Sequence, residues 1–242
     1  MTTTTLNNNE KLIFGLDQYG RKGVIKELVF VLVHFFILTI SAGNFGWINA
    51  WAFTALGLIY KAVYSGTLII KNPKLLNKRG RFIKQDTKPF DKVFFGLMIP
   101  LNLVQSIIAG IDAGRFGWTH MPLWMNVFGA LCMTAAFIFV LWAMNVNTHF
   151  ESTVRIQDDR DHQVCSAGPY RIIRHPGYAG ALLAQFGSPL LLGSAWAFVS
   201  AVMMAALFVV RTYLEDRTLQ KELMGYREYA NITRYRLLPY IW

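Results

Sequence analysis

The chain has 242 residues, 54% of them hydrophobic and only 16% charged, with a formal net charge of +10 at pH 7. It is more apolar and less charged than a soluble domain usually is, and short enough for one helical domain and little else. The positive charge lies beside apolar windows rather than in a basic stripe with interleaved aromatics. Topology and headgroup attraction, about 1 kcal/mol per Lys or Arg near a membrane surface, account for it and argue against a nucleic-acid partner.

In chain order, residues 1–23 form a lead-in whose first ten residues are polar and Thr/Asn-rich. It lacks the apolar core of a cleavable signal peptide. Apolar windows follow at 24–41, 45–70, 93–111 and 122–146. Each is long enough to cross a hydrocarbon core of about 30 Å, which defines a four-helix transmembrane region over 24–146. A fifth apolar stretch, 177–210, is too long for one span and short for two, so it reads as a helical hairpin turning at Leu192-Gly193-Ser194.

The 71–92 loop carries Lys71, Lys74, Lys78, Arg79, Arg81, Lys84, Lys88 and Lys92 against Asp86 and Asp91. Short loops rich in Lys and Arg stay in the cytoplasm. The 147–174 loop and the tail after Arg211 are also Arg-bearing, whereas the 42–46 link is uncharged and the 112–121 link has one acid and one Arg. The expected architecture is therefore an all-α membrane protein. About six transmembrane helices, the last two a hairpin, form a bundle with both termini cytoplasmic and a cytoplasmic helical tail. Trp47, Trp51, Trp118, Trp124 and Trp242 fall near expected interfaces, where indole rings anchor. Cys132 inside a span and Cys165 in a loop make no disulfide framework, and Asn231-Ile232-Thr233 is a silent sequon on the cytoplasmic side. Neither an internal repeat nor an obligate protein partner is evident.

Polar residues within the windows are sparse: His34, Asn49, Lys61, Asn102, Gln105, Asn145 and Gln185. An intramembrane ionisable group is a functional hypothesis by default. Lys61 can equally snorkel and His34 can equally serve as an interhelical hydrogen-bond partner. Neither has an acid at helical spacing, so no proton relay is indicated.

Special residues concentrate after residue 146. Ser166-Ala167-Gly168-Pro169-Tyr170 is a turn leading into Arg174-His175-Pro176-Gly177-Tyr178-Ala179-Gly180. Proline suits the first helical turn, so a span starts at Pro176 with Arg174 and His175 on its lip. A helix start offers free amides to a carboxylate or phosphate, and Arg174 adds a guanidinium for a bidentate contact; Arg174 on lipid headgroups is the alternative. Gly177 and Gly180 leave the helix face bare for a ligand or a neighbouring helix. Where the last span ends, Arg211, Glu215 and Leu219 share one face at i, i+4, i+8, and Asp216 on the next face has no evident partner. Two acids beside a basic lip suit a zwitterion or ribose hydroxyls. Gly225 reads as a helix stop, after which Tyr226 and Tyr229 present one aromatic face, either to a ligand or to the bundle.

This ordered set is Gly168-Pro169-Tyr170, Arg174 to Gly180, Glu215-Asp216 with Leu219, Gly225-Tyr226, Tyr229 and Arg236-Leu237-Leu238-Pro239. It resembles the isoprenylcysteine carboxyl methyltransferase family and the broader phospholipid methyltransferase group of prokaryotic membrane proteins. The resemblance covers roughly the last hundred residues and implies an S-adenosylmethionine site, releasing S-adenosylhomocysteine, within a region spanning 147–242. It implies that Gly168, Tyr170, His175, Pro176, Tyr178 and Gly180 line the cofactor from one side, and Glu215, Asp216, Tyr226 and Tyr229 from the other. It also implies a lipophilic or lipid acceptor entering from the bilayer, with Arg174 and Arg211 orienting its polar head, and a prokaryotic inner-membrane location. Asp216 stands where that family commonly has a second Glu.

Methyl transfer from a sulfonium needs a nucleophile held in line in a water-poor site, and positioning alone contributes about 7 to 11 kcal/mol. A carboxylate or thiolate acceptor needs no base; for an amine, Glu215 or His175 is the first candidate. No metal is called for, and His149, His162 and Cys165 are irregularly spaced for zinc. Two other readings stay open. Membrane sterol reductases share a His-Pro-x-Tyr segment and use NADPH, but their pattern favours Asn before that Tyr, where this chain has Gly177. A transporter or scaffold predicts polar residues converging at the midplane.

Overall fold

The computed structural model describes residues 15–80, 87–157 and 161–242, which are all-helical. The helices are α1 (Gln18–Ala42), α2 (Ile48–Lys71), α3 (Pro73–Gly80), α4 (Pro89–Ala109), α5 (Leu123–Val146), α6 (Pro176–Leu192), α7 (Ala197–Glu222) and α8 (Tyr226–Ile232). A π-helical segment, Gly110–Phe116, prolongs α4, and a 3-10 turn, Gly168–Arg171, precedes α6. Residues 1–14 of the lead-in, and Arg81, Lys84 and Asp86 of the basic loop, lie outside the described residues.

Two boundaries differ from expectation. α1 starts at Gln18, inside the supposed lead-in, because the Asp17 carboxylate caps it by accepting from the Gly20 amide at 2.8 Å. The 71–92 loop contains α3, which docks on the start of α1 where Gly20 faces Asn77 and Gly23 meets Gly80 backbone to backbone. Hydropathy alone ends a helix where charges begin; a cap and a glycine contact carry it further.

Among the described residues, five helices are long and apolar enough to cross a membrane: Gln18–Ala42, Ile48–Lys71, Pro89–Phe116, Leu123–Val146 and Ala197–Glu222. The chain is an integral membrane protein of this class. α6 is the shorter arm of the expected hairpin: its 17 residues reach about 26 Å, from Pro176 at the basic end to the Gly193 turn. It packs antiparallel along α5, where Gly187 lies against Gly129 and Gly180 against Val140 and the Ala136 carbonyl. A Cβ on Gly129 would stand 2.3 Å from the Leu191 amide nitrogen and 2.7 Å from the Gly187 carbonyl oxygen. Backbone cannot yield as a side chain can, so Gly129→Val is expected to cost about 1–3 kcal/mol or more, read as a lowered midpoint of thermal unfolding in detergent.

The expected hairpin turn is present: Gly193 is left-handed (φ 77°) and its amide returns to Leu190 and Pro189. Fully buried Asp112 fastens it, accepting from the hydroxyls of Ser194 (2.6 Å) and Thr119 (2.8 Å) and from the amides of Thr119 and Trp196. At this same end Arg115 donates to the Ile40 carbonyl, so the uncharged links gather here. Trp118 and Trp124 are exposed there, as interface anchors should be, and Trp242 packs its ring over the Arg236 guanidinium. The basic segments, the 147–175 loop and the tail gather at the opposite end.

Candidate active site

At that basic end a cavity opens between the start of α6, the last turns of α7, α8 and the 147–165 loop. Its lining includes Tyr170, Arg174, His175, Pro176 and Tyr178 from one side and Glu215, Tyr226 and Tyr229 from the other. Leu219 and Leu223 supply apolar wall. Tyr170, Arg174, His175, Tyr178, Glu215, Tyr226 and Tyr229, scattered over sixty residues, thus share one concavity because α6 and α7 are antiparallel and α8 follows at the end of α7.

Four expected residues are placed elsewhere. Gly168 (φ 55°) starts the 3-10 turn against Trp142 and Val146, and Gly180 faces α5, so each serves backbone packing rather than the cavity. Asp216, expected to lack a partner, is 1% exposed and the most heavily engaged acid in the region. Its carboxylate meets Arg174 Nη1 at 2.9 Å and Arg236 Nε at 3.0 Å. It also accepts from Gln220 Nε2 at 2.8 Å and the Tyr226 hydroxyl at 3.1 Å, with His175 Nε2 at 3.5 Å. Such a saturated carboxylate holds the tail to α6 and α7 and has no lone pair to spare.

Arg211 is the fourth. It does not pair with Glu215; its Nε lies 2.8 Å from Asp91 Oδ1 on α4 and its Nη2 donates to the Ser152 carbonyl at 2.7 Å. Its guanidinium covers the rings of Phe94 (4.3 Å), Phe95 (5.0 Å) and Tyr178 (4.8 Å). Relieved of Arg211, Glu215 receives the Tyr178 hydroxyl on Oε2, while its Oε1 makes no hydrogen bond to a described residue. Glu215 lines the cavity and is only partly buried, so its free oxygen can accept from a ligand.

The expected anion site at the start of α6 is modified by the tail. The Arg174 amide donates to the Tyr235 carbonyl and the His175 amide to the Arg236 carbonyl, both at 2.9 Å, and Pro176 has no amide. Backbone donors that the sequence left open are thereby used internally. Arg174 still lines the cavity beside its Asp216 pair.

The aromatic pair is anchored as well. The Tyr226 and Tyr229 rings lie 5.4 Å apart, and the Tyr229 hydroxyl donates to the Tyr170 carbonyl at 2.8 Å. Asn147 Nδ2 donates to the Tyr170 hydroxyl at 3.1 Å. Burial pushes the phenols of Tyr170, Tyr226 and Tyr229 above the ordinary tyrosine range, so they remain neutral donors. Burial likewise pushes the Cys165 thiol up, away from the thiolate a nucleophile or metal ligand would need.

Sequence reasoning missed the 147–165 loop as a wall of this cavity. His149, Phe150, Glu151, Val154, Arg155 and Gln157 all line it. Fixed points hold the loop: Arg79 of α3 donates to the Phe150 carbonyl at 2.8 Å, and Asp91 Oδ2 accepts from the Val154 amide at 2.8 Å. Arg155 Nε pairs with Glu151 Oε2 at 3.0 Å, both nearly enclosed. A dense polar run directly after an apolar span was the available signal. Lys61, too, has a partner that helical spacing within one span conceals: Glu27 of α1, at 3.2 Å.

Residues 124–224 match the model of the phospholipid methyltransferase family. No curated protein matches the chain in a sequence comparison. The matched stretch runs from the first residues of α5 to the end of α7, and so holds most of the cavity; over it, the resemblance to the membrane methyltransferases is shown.

Proposed function

We propose, from the phospholipid methyltransferase match over residues 124–224, that this membrane protein transfers a methyl group from S-adenosylmethionine to a lipophilic acceptor at its basic, cytoplasmic end. The observation that carries the reading is Glu215, a partly buried carboxylate with one oxygen that makes no hydrogen bond to a described residue, in a cavity that also presents Arg174 and the Tyr226 and Tyr229 rings. A zwitterionic amino acid joined to a nucleoside asks for that donor set: a carboxylate for its ammonium or ribose hydroxyls, a guanidinium for its carboxylate, and aromatic faces for its purine. The residues fit the group.

When bound, S-adenosylmethionine supplies an electrophilic methyl on a sulfonium. The protein's own contribution is to hold and to exclude. Glu215, oriented by the Tyr178 hydroxyl, fixes the polar end, and Leu219, Leu223 and Val154 keep water from the wall. Asp216 acts through Arg174, Arg236 and Tyr226 rather than by touching the cofactor. For the acceptor, an apolar groove of about 210 Å3 lies between α4 and α7, lined by Phe94, Leu97, Leu207 and Val210, with Arg211 its one charged lining residue. A hydrocarbon body in that groove sets its polar head at Arg211, whose guanidinium lies over the Tyr178 ring of the first cavity, and this supports lateral approach from the bilayer. The positive-inside rule supports the cytoplasmic placement of both termini.

Calorimetry on detergent-purified protein tests this. Saturable binding of S-adenosylhomocysteine and none of NADPH is expected. Glu215→Ala removes a hydrogen bond to a charged group, so affinity should fall about tenfold to a hundredfold. NADPH binding without the homocysteine analogue would move the protein to the reductases, and unchanged affinity in the variant would displace Glu215 from the site.

A further inference from the structure

A second cavity, of about 230 Å3, lies within the membrane bundle among α1, α2, α4, α5 and α6, and shares no lining residue with the first. Most of its wall is apolar, including Phe30, Phe53, Met133 and Phe137. Polar side chains at this depth are costly unless satisfied. Gln185 Nε2 donates to Gln105 Oε1, and Gln105 Nε2 in turn reaches Ser188 Oγ at 3.2 Å, which ties α4 to α6.

His34 is different. It is 6% exposed and lines the cavity, and its only hydrogen bond to a described residue runs from Nδ1 to the Phe30 carbonyl at 2.8 Å on its own helix. A carbonyl only accepts, so Nδ1 carries the proton and Nε2 of the neutral ring is an acceptor without a donor. Asn102, also on the wall, spends its Nδ2 on the Met98 carbonyl at 2.9 Å and leaves Oδ1 in the same state. The one charged side chain on this wall, Lys61, is paired with Glu27 of α1 at 3.2 Å. The buried His34 acceptor and the partly buried Asn102 acceptor, on an otherwise mostly apolar wall, therefore call for a molecule that brings a hydroxyl and otherwise buries hydrocarbon. An apolar chamber of about 150 Å3 holds benzene, so this one has room for a substituted ring.

We propose that this cavity is a binding site for a small lipophilic alcohol or phenol whose hydroxyl donates to His34 Nε2. The inference does not rest on methyl transfer. The experiment uses full-length protein in detergent and two photoreactive probes, a diazirine-bearing benzyl alcohol and the toluene analogue that lacks the hydroxyl, with labelled peptides mapped by mass spectrometry. The alcohol should label peptides of α1, α4 or α5 that line the cavity, saturably and in competition with excess benzyl alcohol. The toluene analogue should label them about fivefold less, the equivalent of one buried hydrogen bond of about 1 kcal/mol. His34→Leu should reduce alcohol labelling to the level of the toluene analogue, while His34→Gln, which keeps an acceptor, should retain most of it. Equal labelling by both probes, alcohol labelling unchanged in His34→Leu, or unlabelled lining peptides in wild-type protein would each overturn the proposal.

Discussion

Asp216→Ala is expected to release the tail from the bundle while the long helices stay folded. The substitution strands Arg174, which is nearly enclosed, and removes the acceptor shared by Arg236, Gln220 and Tyr226. Deleting one partner of a buried ion pair costs about 3–5 kcal/mol, because the surviving charge is left without compensation. Thermal unfolding in detergent should show an early transition, and trypsin should cut at Arg227, Arg234 and Arg236 under conditions where wild-type protein resists. Asp216→Asn keeps the shape and loses the charge, so it should fall between. Glu215→Ala should leave the tail protected, which separates the carboxylate that holds the fold from its neighbour that faces the cavity. A tail equally protected in Asp216→Ala would show that the hydrogen bonds between Arg174, His175 and the 235–236 carbonyls suffice alone.

Asp91→Ala is expected to act on the cavity from the first half of the chain, although Asp91 does not line it. Asp91 is fully buried, pairs with Arg211 at 2.8 Å and accepts from the Val154 amide at 2.8 Å. Its loss leaves the Arg211 charge buried and frees the segment that walls the cavity, so about 3–5 kcal/mol of stability should go together with weakened S-adenosylhomocysteine binding. Replacing both partners, Asp91→Leu with Arg211→Met, removes the stranded charge and should recover most of the stability, because a well-packed apolar pair avoids desolvation. It should not recover binding, since the Val154 and Ser152 contacts stay lost. A cycle of the two single variants and the double measures the coupling; near-zero coupling energy would show that α4 and α7 do not communicate through this pair.

How much was legible in the sequence differs by residue type. The apolar windows determined helices and their approximate ends, because hydrocarbon length sets a minimum run. Pro176 marked the start of α6 and Gly193 and Gly225 the turns, because these residues restrict or release backbone dihedrals locally. The grouping of Tyr170, His175, Tyr178, Glu215, Tyr226 and Tyr229 followed from resemblance and not from spacing. Partners were the poorest part. Arg211 faced Glu215 on paper yet chose Asp91, more than a hundred residues away, and Asp216, apparently alone, gathered two arginines, a glutamine and a tyrosine. Ion pairs within a helix are worth only a few tenths of a kcal/mol, so a buried partner on another element overrides them.

The sequence by itself determined that this is an all-helical membrane protein, where its chain turns, and which half carries the methyltransferase resemblance, since each depends on composition and local backbone geometry. Tertiary structure alone decided that α6 is a short helix packed on α5, that the 147–165 loop walls the cavity, and which of two adjacent acids stays available. Those outcomes depend on close glycine contacts and on buried charges meeting partners remote in sequence, and one dimension does not encode such meetings.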